Sequence, residues 1–235
     1  AKLALDNDAS LFFLLFSRFV IGTFILIPIL CWRNQRLLDL TKDQLFRLII
    51  AGSFAFVLIA LTYHAIEFLD VGIVMVVLYC FPLGVALVLQ TCGKQRLSRK
   101  SWSFMFSAFL GLIVLLSSKG FDLSIYGLSI SLIAMFCFVA FIVSASSISN
   151  EIGAVRFNFF VSLYGLLLLI IAYASPLELV LSLSNGLKGH LAILGNGVFY
   201  IFSWVIFFES SKLIGAARTS VLSCSEPLFA AILAI

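Results

Sequence analysis

The chain predicts an all-α integral membrane protein that crosses the bilayer about eight times, and three observations carry that expectation. Hydrophobic residues make up 63% of the 235 positions and charged residues only 11%, against ~25% charged in an average soluble domain. Mean hydropathy is +1.18, too apolar for the polar side chains to cover a soluble globule. The apolar residues also fall in continuous runs close to the ~20 residues that span ~30 Å of hydrocarbon. The basic residues collect in the short gaps between those runs, where the expected partner is the membrane surface rather than nucleic acid.

In order, the predicted spans run from Ser10 to Trp32, Leu45 to Phe68, Val71 to Thr91, Trp102 to Ser118, Leu123 to Ser146, Phe157 to Ala174, His190 to Phe208 and Gly215 to Ile235. Only helices and closed barrels satisfy their backbone polar groups in lipid, and continuous apolar runs, unlike alternating ones, mean helices. Lysine and arginine set the orientation. Arg33, Arg36, Lys42 and Arg47 follow the first span, and Lys94, Arg96, Arg99 and Lys100 follow the third. Arg156 and Lys212 fall on that same side, against Lys2, Lys119 and Lys188 on the other. The basic side is expected to face the cytoplasm, which predicts a multi-pass protein of the cytoplasmic membrane.

The longest connection, Ser175 to Gly189, falls outside and has the apolar run Leu177 to Leu183 of a surface-lying helical turn. The segment Ser144 to Asn150 is the softest cytoplasmic boundary. Cysteines 31, 80, 92, 137 and 224 show no C-x-x-C or Cys/His metal spacing and read as small buried hydrophobes. His64, Ala65, Ile66 and Glu67 do not make a zinc motif, because no second histidine follows at helical spacing. Neither a metal nor a cofactor is expected. The last span runs to Ile235 without a flanking charge, which suggests a fragment.

The region from Ala51 to Gln90 organises the rest. An apolar span reaching Phe68 turns through Leu69 and Asp70 into a second span carrying Tyr79, Cys80, Phe81, Pro82 and Leu83. A shift of 145 residues lays Asn196 to Ile232 over Ala51 to Leu87 and superposes six identities, among them Gly52 on Gly197 and Pro82 on Pro227. Ser17-Arg18-Phe19 in the first span likewise resembles Val155-Arg156-Phe157 at the start of the sixth. The first of these helices begins outside and the second inside, as in inverted repeats, and paired interrupted segments point to a transporter site.

In these residues the chain resembles the drug/metabolite transporter superfamily in its ten-helix EamA-type form. The resemblance rests on the Arg-Phe pairs, on the proline-centred helices Val76 to Leu87 and Val221 to Ile232, and on Gly111 after the basic link Gly93 to Ser98. Gln95 stands where the family link commonly carries an acid, whereas Glu226-Pro227 matches. The resemblance implies that the eight spans correspond to helices two to nine of ten. They would form one repeat over residues 1–118, lacking its first helix, and an inverted repeat over 119–235, lacking its last. It also implies two bundles around a central cavity that export or exchange small organic solutes, amino acids among them.

Glu226 is the sharpest candidate for chemistry. A carboxylate at the centre of a span costs about 2.5 to 3.5 kcal/mol on insertion scales, so such groups are functional by default. Thr219, Ser223 and Glu226 share one helical face. The alternative is a structural acid bonded to backbone groups that Pro227 frees. Tyr79 precedes Pro82 by one turn, at a place where the missing donor opens the helix. Asn196, Tyr200 and Trp204 recur at i, i+4 and i+8, a stripe that suits either helix packing or a cavity for amphipathic solutes and organic cations.

Arg18 is too deep to snorkel and reads as a structural charge inside the membrane, whereas Arg218 lies within reach of the surface. His64 reads as a helix-end hydrogen-bonding residue. Together these predict a permease working by alternating access, with gates at Pro82 and Pro227 and a site bounded by Tyr79, Tyr200, Trp204 and Glu226. A non-transporting receptor or assembly factor is the first rival. An intramembrane enzyme is the second, but no G-x-S-x-G, H-E-x-x-H or aspartate pair supports it.

Overall fold

The computed structural model describes residues 8, 10–32, 39–93, 102–103, 106–107, 110, 124–174, 182–183 and 186–226. Among these the secondary structure is helical, with no strand. The elements are α1 (Leu11–Trp32), α2 (Lys42–Ile66), α3 (Val71–Leu78), α4 (Phe81–Thr91), α5 (Ile125–Ile152), α6 (Ala154–Ala174), α7 (Gly186–Ile214) and α8 (Ala216–Ser223). Six stretches are long and apolar enough to cross a membrane: α1, α2, α3 with α4, α5, α6 and α7. They match six of the eight predicted spans. The fourth, Trp102 to Ser118, and the eighth, Gly215 to Ile235, run beyond the described residues, as do the basic link after Gly93 and the outer connection through Leu177.

Local chemistry explains where the helices start and stop. Thr41 opens α2 with a reciprocal box: the Gln44 N–H donates to Thr41 Oγ1 and the Thr41 N–H to Gln44 Oε1, both at 3.2 Å, which satisfies two donors left over at a helix start. Asp70 caps α3 by accepting the Gly72 N–H at 2.7 Å. Gly153, at φ 90°, ends α5, and α6 restarts at once. The predicted soft boundary from Ser144 to Asn150 is therefore corrected to helix. Its serines bond back to their own helix, Ser144 Oγ donating to the Ala140 carbonyl at 2.6 Å and Ser146 Oγ to the Val143 carbonyl at 3.2 Å, so they do not break it.

The chain forms two compact units, Ala1–Gly52 with Ile148–Glu209, and Ser53–Ser147 with Ser210–Ile235. Each takes elements from both halves of the sequence. In the first, α1 packs along α6. Leu26 and Leu30 of α1, Val155 of α6 and Ile201 of α7 make one buried cluster, and Leu14 with Ile193 makes another. Glycines set the close approach: a Cβ on Gly165 would stand 2.8 Å from the Phe19 ring, and one on Gly197 2.7 Å from Ile21 Cδ1. Near the start of α2, Arg47 bonds Glu151 at 2.8 Å.

In the second unit α4 packs against α8, Phe81 stacks on Phe138 with ring centroids 4.0 Å apart, and Gly84 leaves room for Val139. Large apolar side chains such as Phe24, Phe136 and Phe199 are exposed, which suits surfaces that meet lipid rather than water. Cys80, Cys137 and Cys224 are half-buried, but Cys31 and Cys92, at helix ends, are exposed. The expectation of uniformly buried thiols is corrected to that extent.

Candidate functional site

The predicted third span is not one helix. After Leu78 the chain passes through a turn at Tyr79 and Cys80 before α4 begins. The Cys80 N–H donates to the Val77 carbonyl at 3.1 Å and the Leu83 N–H to the Cys80 carbonyl at 3.0 Å, tighter three-residue steps in place of the regular ladder. Pro82 lies in the first turn of α4, where the donor it lacks would have no partner inside the helix. It is buried. The proline thus starts a helix rather than bending one, and the interruption lies just ahead of it.

The last span repeats this. Gly215, at φ 88°, occupies the N-cap of α8, and α8 stops at Ser223. The Cys224 N–H donates to the Val221 carbonyl and the Ser225 N–H to the Leu222 carbonyl, both at 3.1 Å, and helical geometry resumes at Glu226. Pro227 lies outside the described residues. Shifted by 145 positions, α3 over Val71–Leu78 falls on α8 over Ala216–Ser223, and the turn at Tyr79 and Cys80 falls on that at Cys224 and Ser225.

The two interruptions meet within the second unit. Cys224 Sγ lies 3.9 Å from the Tyr79 carbonyl oxygen, and the Tyr79 side chain lies within the electrostatic reach of the Glu226 carboxylate. Tyr79 is half-buried, whereas Glu226 is exposed. The other members of the polar stripe are satisfied by their own helix: Thr219 Oγ1 donates to the Gly215 carbonyl at 3.1 Å and Ser223 Oγ to the Ser220 carbonyl at 2.7 Å. Glu226 is the stripe's ionisable member.

Tyr200 and Trp204 belong to the first unit. Their ring centroids lie 6.4 Å apart. Trp204 stacks on Phe208 at 5.7 Å, and buried Phe208 meets Phe157 at 4.9 Å. Tyr200 meets Phe19 edge-on at 6.3 Å and lies beneath the Arg18 guanidinium, whose central carbon is 5.2 Å from the ring centroid. Arg18 Nη2 donates to Asn196 Oδ1 at 3.1 Å.

Sequence spacing placed Asn196, Tyr200 and Trp204 on one face but did not foresee Arg18 against them. Nothing in a linear pattern links positions 178 residues apart. Nor did any signal announce the approach of Cys224 to Tyr79. His64 bonds Glu67, Nδ1 to Oε2 at 2.9 Å, and lies 3.4 Å from the Tyr126 hydroxyl, in keeping with a helix-end role. Among the described residues no group of three metal-ligating side chains converges.

The profile of the EamA-like transporter family matches this chain over residues 1–117 and 125–235. No curated protein matches it.

Proposed function

The chain belongs to the EamA-like transporter family, within the drug/metabolite transporter superfamily, and we propose that this multi-pass membrane transporter exports small organic metabolites or amino acids across the cytoplasmic membrane by alternating access. The two inverted repeats are residues 1–118 and 119–235. The observation that carries the mechanism is the pair of interrupted helices at a constant offset of 145 residues, turning at Tyr79 and Cys80 and again at Cys224 and Ser225. An interruption exposes backbone donors and acceptors at membrane depth, which is tolerated only against protein or water. It also supplies a place where a helix pivots.

The turns just ahead of Pro82 and Pro227 act as the gates. Substrate contact is assigned to Tyr79, Tyr200, Trp204 and Glu226. Glu226 is the one of these four that carries a charge. The test is counterflow into proteoliposomes holding the purified protein, across a panel of amino acids, nucleosides, sugar phosphates and organic cations. One chemical class should exchange, and Glu226→Gln should slow it about tenfold, which equals the loss of ~1.4 kcal/mol, close to the low end for a hydrogen bond to a charged group. Undiminished exchange in Glu226→Gln would remove that residue from the site. No exchange of any class would remove the transport reading.

A further inference from the structure

Arg18 lies one and a half to two turns into α1, and the whole of its bonding among the described residues is one hydrogen bond to a neutral amide and one aromatic face. No carboxylate among those residues pairs with it. Two donors are left over. Arg18 Nε is buried without a hydrogen-bond partner, and so is Asn196 Nδ2. They sit on groups already joined by the 3.1 Å bond from Nη2 to Oδ1. One linked pair of side chains therefore presents two unused donor nitrogens beside an uncompensated positive charge.

Deep charges in membrane helices are paired or face a functional pathway, and unsatisfied buried donors in a native fold call for a specific explanation. A water molecule would accept both hydrogen bonds but would leave the charge unbalanced. The Tyr200 ring offsets it only in part, since cation–π attraction is weaker than an ion pair. A carboxylate answers every requirement at once: it is acceptor-only, it carries a single negative charge, and its two oxygens suit donors on adjacent planar groups. Tyr200, with Phe19 edge-on to it and Trp204 one turn further along α7, adds apolar surface beside the charge.

We propose that Arg18 and Asn196, backed by the Tyr200 ring, form a binding site for the carboxylate of a small organic solute. This inference rests on the reading of the chain as a small-solute permease and narrows its substrate to carboxylate-bearing molecules. It also replaces the structural charge that the sequence suggested for Arg18 with a ligand-binding role.

Two sources of a singly charged oxyanion, a solute and a lipid headgroup, are separated by thermal unfolding of the whole protein in detergent. Phenylacetate, octanoate, leucine and succinate are compared with neutral phenylacetamide, with sodium chloride and with added phosphatidylglycerol. At least one carboxylate should raise Tm saturably while phenylacetamide does not. Asn196→Asp places a carboxylate beside the guanidinium, so it should keep or raise Tm without ligand and weaken the carboxylate response at least tenfold. The inference is overturned by no carboxylate response, by an equal response to phenylacetamide or chloride, by a response only to phosphatidylglycerol, or by an unchanged response in Asn196→Asp.

Proteoliposome counterflow keeps the two readings apart. Carboxylate binding without exchange of any solute would sustain this site and remove transport. Exchange of neutral solutes, with no carboxylate response, would do the reverse.

Discussion

At the first interruption the residues are Tyr79, Cys80, Phe81 and Pro82; at the second, 145 positions later, they are Cys224, Ser225, Glu226 and Pro227. The backbone is the same in both as far as the structure describes it: an eight-residue helix, a two-residue turn, then a new helical start. The side chains do opposite work. Phe81 is buried and stacked on Phe138, whereas Glu226 at the equivalent position is exposed. Asp70 caps the first short helix with its side chain, while Gly215 enters the second with a positive φ and no side-chain cap. A backbone feature is thus kept while one copy is anchored by packing and the other left open for chemistry.

The strongest way to break that contrast is to truncate both equivalents. Phe81→Ala should destabilise the protein by about 3 kcal/mol, the low end for a buried aromatic, because lipid rather than water is the alternative surrounding. Glu226→Ala should change stability by no more than about 0.5 kcal/mol, as expected of an exposed site. Thermal unfolding in detergent measures both, and similar losses would show that the second copy is also anchored.

Gly215→Ala should cost about 1 to 2 kcal/mol, since a left-handed backbone crowds any Cβ; an unchanged Tm would show that the entry to α8 relaxes freely. Asp70→Ala should cost about 1 kcal/mol for a lost N-cap. Hydrogen exchange at Gly72 should quicken there and not at α8.

Much of this was legible in the sequence. Apolar run length placed the six described spans because each helix must satisfy its own backbone across a fixed thickness of hydrocarbon. The 145-residue echo marked where both interruptions fall. The edges were less legible: α7 begins at Gly186 rather than His190, and α5 runs on to Ile152, because serine and glycine near a span's end are permissive rather than decisive. Glu226 stood out as a deep acid and Arg18 as a deep base, since charge is rare in such a chain.

What the sequence could not supply was partnership. That Arg18 lies against Asn196 and Tyr200, or that Cys224 comes within 3.9 Å of the Tyr79 carbonyl, depends on how α1 packs with α7 and α4 with α8. Hydrophobic run length is blind to both. Apolar run length and the 145-residue echo were enough for the helical spans and for two interruptions at matching places, because a helix in lipid must satisfy its own backbone. Only the tertiary structure decided which polar groups stay unpaired, because that depends on helix rotation and close approach at glycines such as Gly165 and Gly197, which no one-dimensional pattern encodes.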